Sequence, residues 1–320
     1  MTAPAGTVEV LRGGHVESVH RFAWRVCDAH GATLDAGADL AGGVFARSLA
    51  KPFQALPSVR AGVLERFGLD DRDLAVACAS HGGSTVHVAR VADILAACGL
   101  PEQALGCGPL APRDPAAAAA LPHPPRRIHH NCSGKHALGL ALCVAEGWPT
   151  ASYLDAGHPL QRAMRASVCE AAGGEAPAEA VDGCGMRTFR LSLEALAGAF
   201  ARLAAGGLDA AGARAAAAMR AHPALVAHPG AVDTEVMAAA PGVVAKIGAE
   251  GVLAVGTADG RGLAVKVLDG AARALDPAVV LLVRERLGLA LEGPAIATLA
   301  APVLRNSRGD AVGRLEAALG

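Results

Sequence analysis

Apolar and polar positions alternate in short runs over the first 45 residues. VEV (8–10), the longer ESVHRFAWRVCDA (17–29) and the polar turn HGATL (30–34) predict an antiparallel hairpin. From Ser48 to about residue 240 the period lengthens. VHVARVADILAACGL, LEALAGAFARLAAGG and AAGARAAAAMRAH carry apolar residues at helical spacing, and each ends near Gly or Pro. DLAVACA (73–79) interrupts this with a short strand-like run, and the Ala- and Pro-rich stretch 111–125 reads as a loop. Two-residue alternation returns in VVAKIGAEGVLAVGT and LAVKVLDG, joined through a tight turn at ADGRG. A helix follows from about Ala272 to Leu289.

Strands at both ends and helices between them predict a mixed α/β (α+β) protein. Its antiparallel sheet is assembled from both termini, with a helical lobe inserted. The expected division is one domain, residues 1–320, of two lobes. The sheet lobe takes about 1–47 and 240–320, and the helical lobe about 48–239. A cleft between two lobes suits a small-molecule site.

Composition narrows the function. The 320 residues carry a formal net charge of −1 with basic residues dispersed, which argues against a nucleic-acid stripe or a membrane-binding face. Aromatic residues make up only 3%, so the core must be built largely from Ala, Val and Leu. The beginning MTAPAGTVEVLRGG lacks the charged start and apolar run of an export signal, and no stretch is long and apolar enough to span a bilayer. The expected location is cytoplasmic, with the eight cysteines as reduced thiols.

Among 29 basic residues only Lys51, Lys135, Lys246 and Lys266 are lysine. Arg supplies charge but cannot lose its proton, whereas a buried Lys can, so the lysines mark positions where that difference counts. Lys51 follows Ser48 by three residues, which places both on one face if a helix begins there. A desolvated amine in that position could take the proton of a serine hydroxyl. ACASHGG (77–83) puts Ser80 and His81 after an apolar run and before glycines, a place for polar groups at a cleft mouth. KIGAEG (246–251) puts Lys246 on a strand beside Gly248, where backbone can approach a substrate closely. A Ser-x-x-Lys, a second serine and a Lys-x-Gly strand, in that order, resemble the parts of the penicillin-recognising serine hydrolases.

RSLAKPFQALP, ASHGG, NCSGKHALGLAL, DGCG, HPALV, DTEVM, KIGAEG and GLAVKVLDG together give a closer match. From about residue 8 to PVLRNSRGDAVGRL the chain resembles the bacterial asparaginase II family of the thermolabile rhizobial type. That resemblance implies a serine β-lactamase-like (penicillin-binding-protein-like) fold, a homodimer, and hydrolysis of L-asparagine to aspartate and ammonia. It also implies two Ser–Lys pairs, Ser48 with Lys51 and Ser80 with Lys246. Ser48 is the favoured nucleophile, with Ser80 and Lys246 relaying protons. Candidate substrate contacts are His81, Asp182 and Gly248. The cysteine spacing alone favours free thiols over zinc. The resemblance instead implies a modulatory, non-essential zinc ion held by Cys132, Lys135 and Cys184, with Asp182 nearby.

Three positions depart from the family pattern. Ser84 stands where an acid is usual, Ala231 where an Arg is usual, and Arg187 where a Pro is usual. An Arg lost at 231 removes a forked contact to a carboxylate, and Arg187 entering the site from another direction would compensate. The rival to an amidohydrolase is a non-catalytic zinc- or metabolite-binding homologue. An enzyme with a shifted small-amide substrate, such as glutamine, is the further alternative.

Overall fold

The computed structural model describes residues 5–40, 42–174 and 178–320; residues 1–4 of the stretch read above for an export signal lie outside it. Three strands open the chain: β1 (Gly6–Arg12), β2 (His15–Asp28) and β3 (Thr33–Gly37). Three short ones follow among the helices: β4 (Val44–Phe45), β5 (Ala178–Val181) and β6 (Arg187–Leu191). The last five are β7 (Val244–Ile247), β8 (Val252–Gly256), β9 (Arg261–Val267), β10 (Val303–Arg305) and β11 (Ala311–Ala318).

The main sheet runs β10-β11-β1-β2-β9-β8-β7, with β3 added beside β2. Every pairing is antiparallel. Both ends of the chain therefore meet in it, Thr7 opposite Ala318 and Arg12 opposite Gly313. β2 is long enough to serve two neighbourhoods. Its first residues are mostly exposed and pair only with β1, while Phe22–Asp28 pair with Val267–Arg261 of β9 and are almost wholly buried.

The helix Leu193–Ala205 lies across β9, β2 and β8. Glycine permits that approach. A Cβ on Gly256 would stand 1.9 Å from the Phe200 carbonyl oxygen, and one on Gly262 would stand 1.9 Å from that of Ala197. One apolar core joins these strands to the helices Lys51–Arg60, Ser133–Glu146 and Leu275–Leu287. Its members are mainly Val, Leu and Ala, as the scarcity of aromatics requires. Among the described residues no helix is long and apolar enough to cross a membrane.

Several elements differ from the pattern-based expectation. DLAVACA is mostly the helix Asp71–Ala77, because Asp70 caps it and the Asp73 side chain accepts in return from the Asp70 N–H. The stretch 111–125 contains a short helix, Pro115–Ala119, started by Asp114, whose carboxylate accepts from the Ala116 N–H. A second small sheet, β4-β6-β5, interrupts the helical region, with Ala46 N–H donating to the Phe189 carbonyl at its end. That bond ties the chain entering the Ser48 turn to the strand following the DGCG segment.

Candidate active site

A single 3₁₀ turn, Arg47–Ala50, leads directly into the helix Lys51–Arg60, with Pro52 in the first helical turn, where its missing N–H costs nothing. Lys51 points inward and is fully buried. Its Nζ lies 2.6 Å from the Ala79 carbonyl, 3.2 Å from the Asn131 carbonyl and 3.0 Å from Ser80 Oγ. These three partners satisfy either protonation state. An ammonium donates to all three, while a neutral amine donates to the two carbonyls and accepts the Ser80 O–H with its lone pair. Burial pushes the Lys51 pKa below its ordinary value.

Ser80 is positioned by the backbone around it. Ser80 N–H donates to the Val226 carbonyl at 2.9 Å, and Gly82 N–H to the Ala227 carbonyl at 2.8 Å. His81 between them is also fully buried. Its Nε2 lies 2.9 Å from Ser133 Oγ, and Ser133 Oγ donates at 2.8 Å to the Ile128 carbonyl. Among the described residues the buried His81 Nδ1 has no hydrogen-bond partner. The ring stacks on His87, centroids 5.2 Å apart, and burial holds His81 well below the ordinary histidine pKa.

The expected pairing of serines and lysines is not the one observed. Lys51 bonds to Ser80, and among the described residues no hydrogen bond joins it to Ser48 side chain to side chain. Lys246, on β7, does not bond to Ser80 either. Its Nζ lies 3.2 Å from Asp233 Oδ2 and 3.0 Å from the Ile247 carbonyl. Both members of this ion pair are completely buried, and Asp233 also accepts from Ile247 N–H and Thr234 N–H. Burial lowers the Lys246 pKa to about 8 against the pull of Asp233, with the Lys51 charge adding to the lowering. Asp233 was not among the candidate residues. Its only sequence signal is its place in DTEVM, where an acid in the first turn of the helix Val232–Ala239 is ordinary.

Ser48 itself is partly exposed, and the residue before it, Arg47, adopts a left-handed backbone at φ +49°. A non-glycine residue there stores about 1–3 kcal/mol of strain, a feature that concentrates at functional sites. Arg47 Nε donates to Asp182 Oδ1 at 2.5 Å, so Asp182 is anchored beside the Ser48 turn. Gly248 docks against the same turn. A Cβ there would meet Val252 Cγ1 at 2.6 Å, Leu49 Cδ1 at 2.7 Å and the Ala46 carbonyl at 3.1 Å. A cleft of about 290 Å³ opens at this edge, lined by Val44, Phe45, Arg47, Ala249, Glu250 and Lys266 among others.

Cys132, Lys135 and Cys184 are brought together. Lys135 Nζ lies 3.4 Å from Cys184 Sγ. A hydrogen bond from Cys132, and then the Lys135 charge, pull the Cys184 thiol down to about 5 despite burial. The cluster thus offers a buried thiolate, a second thiol and a lysine whose pKa is raised against burial by Cys184, Cys132 and Asp182, an ammonium that would have to lose its proton before it could ligate a metal. Among the described residues no group of three or more His, Cys, Asp or Glu side chains is arranged to hold a metal. His136, next to Lys135 in the chain, has its Nδ1 2.5 Å from the Tyr153 hydroxyl, while among the described residues its buried Nε2 has no partner.

The departures from the family pattern are absorbed locally. Ser84 Oγ lies 2.8 Å from His87 Nδ1, leaving His87 Nε2 to donate to the Ala224 carbonyl at 3.1 Å. Arg187 does not enter the site as a compensating cation; its Nε donates to Glu179 at 3.1 Å. Ala231 precedes the helix that carries Asp233.

A protein-family model described as L-asparaginase II matches residues 8–317. No curated protein matches the sequence significantly.

Proposed function

This chain belongs to the L-asparaginase II family, and from that premise we propose an amidohydrolase that converts L-asparagine to L-aspartate and ammonia through a serine acyl-enzyme. The observation that carries the mechanism is the three-partner setting of Lys51. A base that stays fully hydrogen-bonded with and without its extra proton needs no rearrangement between the two states.

In the proposed reaction Ser80 Oγ attacks the side-chain amide carbon as Lys51 takes the hydroxyl proton. The tetrahedral adduct collapses with C–N cleavage, and the proton passes to the departing nitrogen as ammonia leaves. Water then hydrolyses the aspartyl ester by the reverse proton path. The Ser80 and Gly82 N–H groups already donate to Val226 and Ala227, so positive charge for the adduct oxygen falls to Lys246, held as an ammonium by Asp233. Ser48 remains the second reading as nucleophile, because it is partly exposed whereas Ser80 is fully buried.

A sheet made from both termini, with a Ser-x-x-Lys turn opening the first inserted helix, supports a serine β-lactamase-like fold and the division into two lobes near 47 and 240. Cys132, Lys135 and Cys184 would hold a modulatory zinc ion, which would supply fixed positive charge beside Lys51. A two-fold homodimer is proposed on the resemblance. The rival is a sensor that binds amide or zinc without turnover.

Ammonia release from L-asparagine and L-glutamine tests the proposal directly. Wild type should release ammonia from asparagine, and Lys51→Arg should lose about 10²–10⁴-fold, since Arg cannot accept the serine proton. Equal rates in the two proteins would remove Lys51 as the base. Binding without ammonia in wild type would favour the sensor.

A further inference from the structure

His81 holds a polar atom that the described residues leave without a partner. Ser133 has one hydroxyl hydrogen, and its 2.8 Å bond to the Ile128 carbonyl uses it. The 2.9 Å contact from His81 Nε2 to Ser133 Oγ is then satisfied only if Nε2 carries the ring proton. That fixes the tautomer and leaves Nδ1 as a bare acceptor, fully buried and unbonded. An orphaned buried acceptor costs about 1–3 kcal/mol, so it needs an explanation.

Its position supplies one. His81 follows Ser80 directly, so their Cα atoms are about 3.8 Å apart, and the Ser80 hydroxyl is itself bonded to Lys51 Nζ at 3.0 Å. Burial together with the neighbouring Lys51, His87, His129 and His130 keeps the ring neutral, which preserves the acceptor. The His87 stack and the Ser133 bond hold the ring in place.

We propose that His81 Nδ1 is a specificity-determining acceptor that takes an N–H of the substrate's scissile amide, selecting primary amides over esters and carboxylates. This rests on the amidohydrolase reading and deepens it. The amide nitrogen brings two hydrogens and can satisfy Nδ1. An ester oxygen or an ionised carboxylate brings none, so it leaves the acceptor unpaired and is discriminated against. The same argument favours product release, because the aspartate carboxylate cannot make the bond its parent amide made.

The test compares kcat/KM on L-asparagine with that on the matching side-chain methyl ester of L-aspartate, for wild type, His81→Gln and His81→Asn. Gln can keep the donor to Ser133 but has no acceptor at the Nδ1 place. Asn keeps an acceptor near that place but loses the Ser133 bond. The amide-to-ester ratio should fall at least about tenfold in His81→Gln and less in His81→Asn. Equal losses on both substrates in His81→Gln would show a structural histidine and overturn the inference. Wild type that hydrolyses neither compound would overturn the amidohydrolase reading and this inference with it. A second measurement needs no variant at His81. In Lys51→Met protein carrying ¹⁵N-histidine, L-asparagine should move the His81 Nδ1 resonance toward that of a hydrogen-bonded nitrogen, and L-aspartate should not. An unmoved Nδ1 signal with asparagine bound overturns the proposal.

Discussion

Two lysines separated by 195 positions do different work because their partners differ. Lys51 faces two carbonyls and a hydroxyl, and burial is the largest influence on its tendency to give up a proton, with Lys135 adding to it and Cys132 and Cys184 opposing it. Lys246 meets Asp233, which opposes the same desolvation and leaves its pKa at about 8. The first suits a base and the second a fixed charge. The pH profile of kcat/KM should therefore be a bell. Lys51, lowered by burial, must lose its proton to act as base, and Lys246 must keep its own, which it loses near 8. Asp233→Asn removes the group that raises the Lys246 pKa, so the alkaline limb should move to lower pH. An alkaline limb that stays put in that variant would separate Lys246 from the reaction. Lys51 and Lys246 were legible in the sequence because arginine replaces lysine almost everywhere else. The orphaned His81 nitrogen was not, since it depends on Ser133 spending its one hydroxyl hydrogen on the Ile128 carbonyl while meeting His81 from 52 positions away.

At the scale of elements, the helix Leu193–Ala205 can lie on the sheet only because Gly256 and Gly262 offer no Cβ. Gly262→Ala forces a methyl against the Ala197 carbonyl and should cost about 1–3 kcal/mol in urea unfolding. A substitution within about 0.5 kcal/mol of wild type would mean that the helix is free to shift. Elements whose periodicity and caps agree were readable, such as this helix, which Ser192 caps. Those set by partners were not. β11, AVGRLEAA, is rich in helix formers yet is a strand because it pairs with β1 along six residues. β5 is four residues of exposed or intermediate burial, too short and too mixed to show a period. DLAVACA looked like a strand by its apolar run, and the two-acid cap at Asp70 and Asp73 decided otherwise.

For the whole molecule, closing one sheet from both chain ends places the helical insertion where its first turn meets β7. Gly248 packs along that seam against Leu49 and the Ala46 carbonyl on either side of Ser48, and the Lys51–Ser80 bond is fully buried. The Lys246–Asp233 pair links β7 to the helix Val232–Ala239 in the same region. On the proposed mechanism substrate reaches Ser80 through this seam, and the cleft lined by Arg47 and Ala249 lies at its edge. The pairing of Lys51 with Ser80 rather than Ser48 is the central claim, and it is decided by the residue that carries the acyl group. The reaction with L-asparagine would be acid-quenched within one turnover, digested and mapped by mass spectrometry. The aspartyl group is expected on Ser80, and its presence on Ser48 would contradict the account.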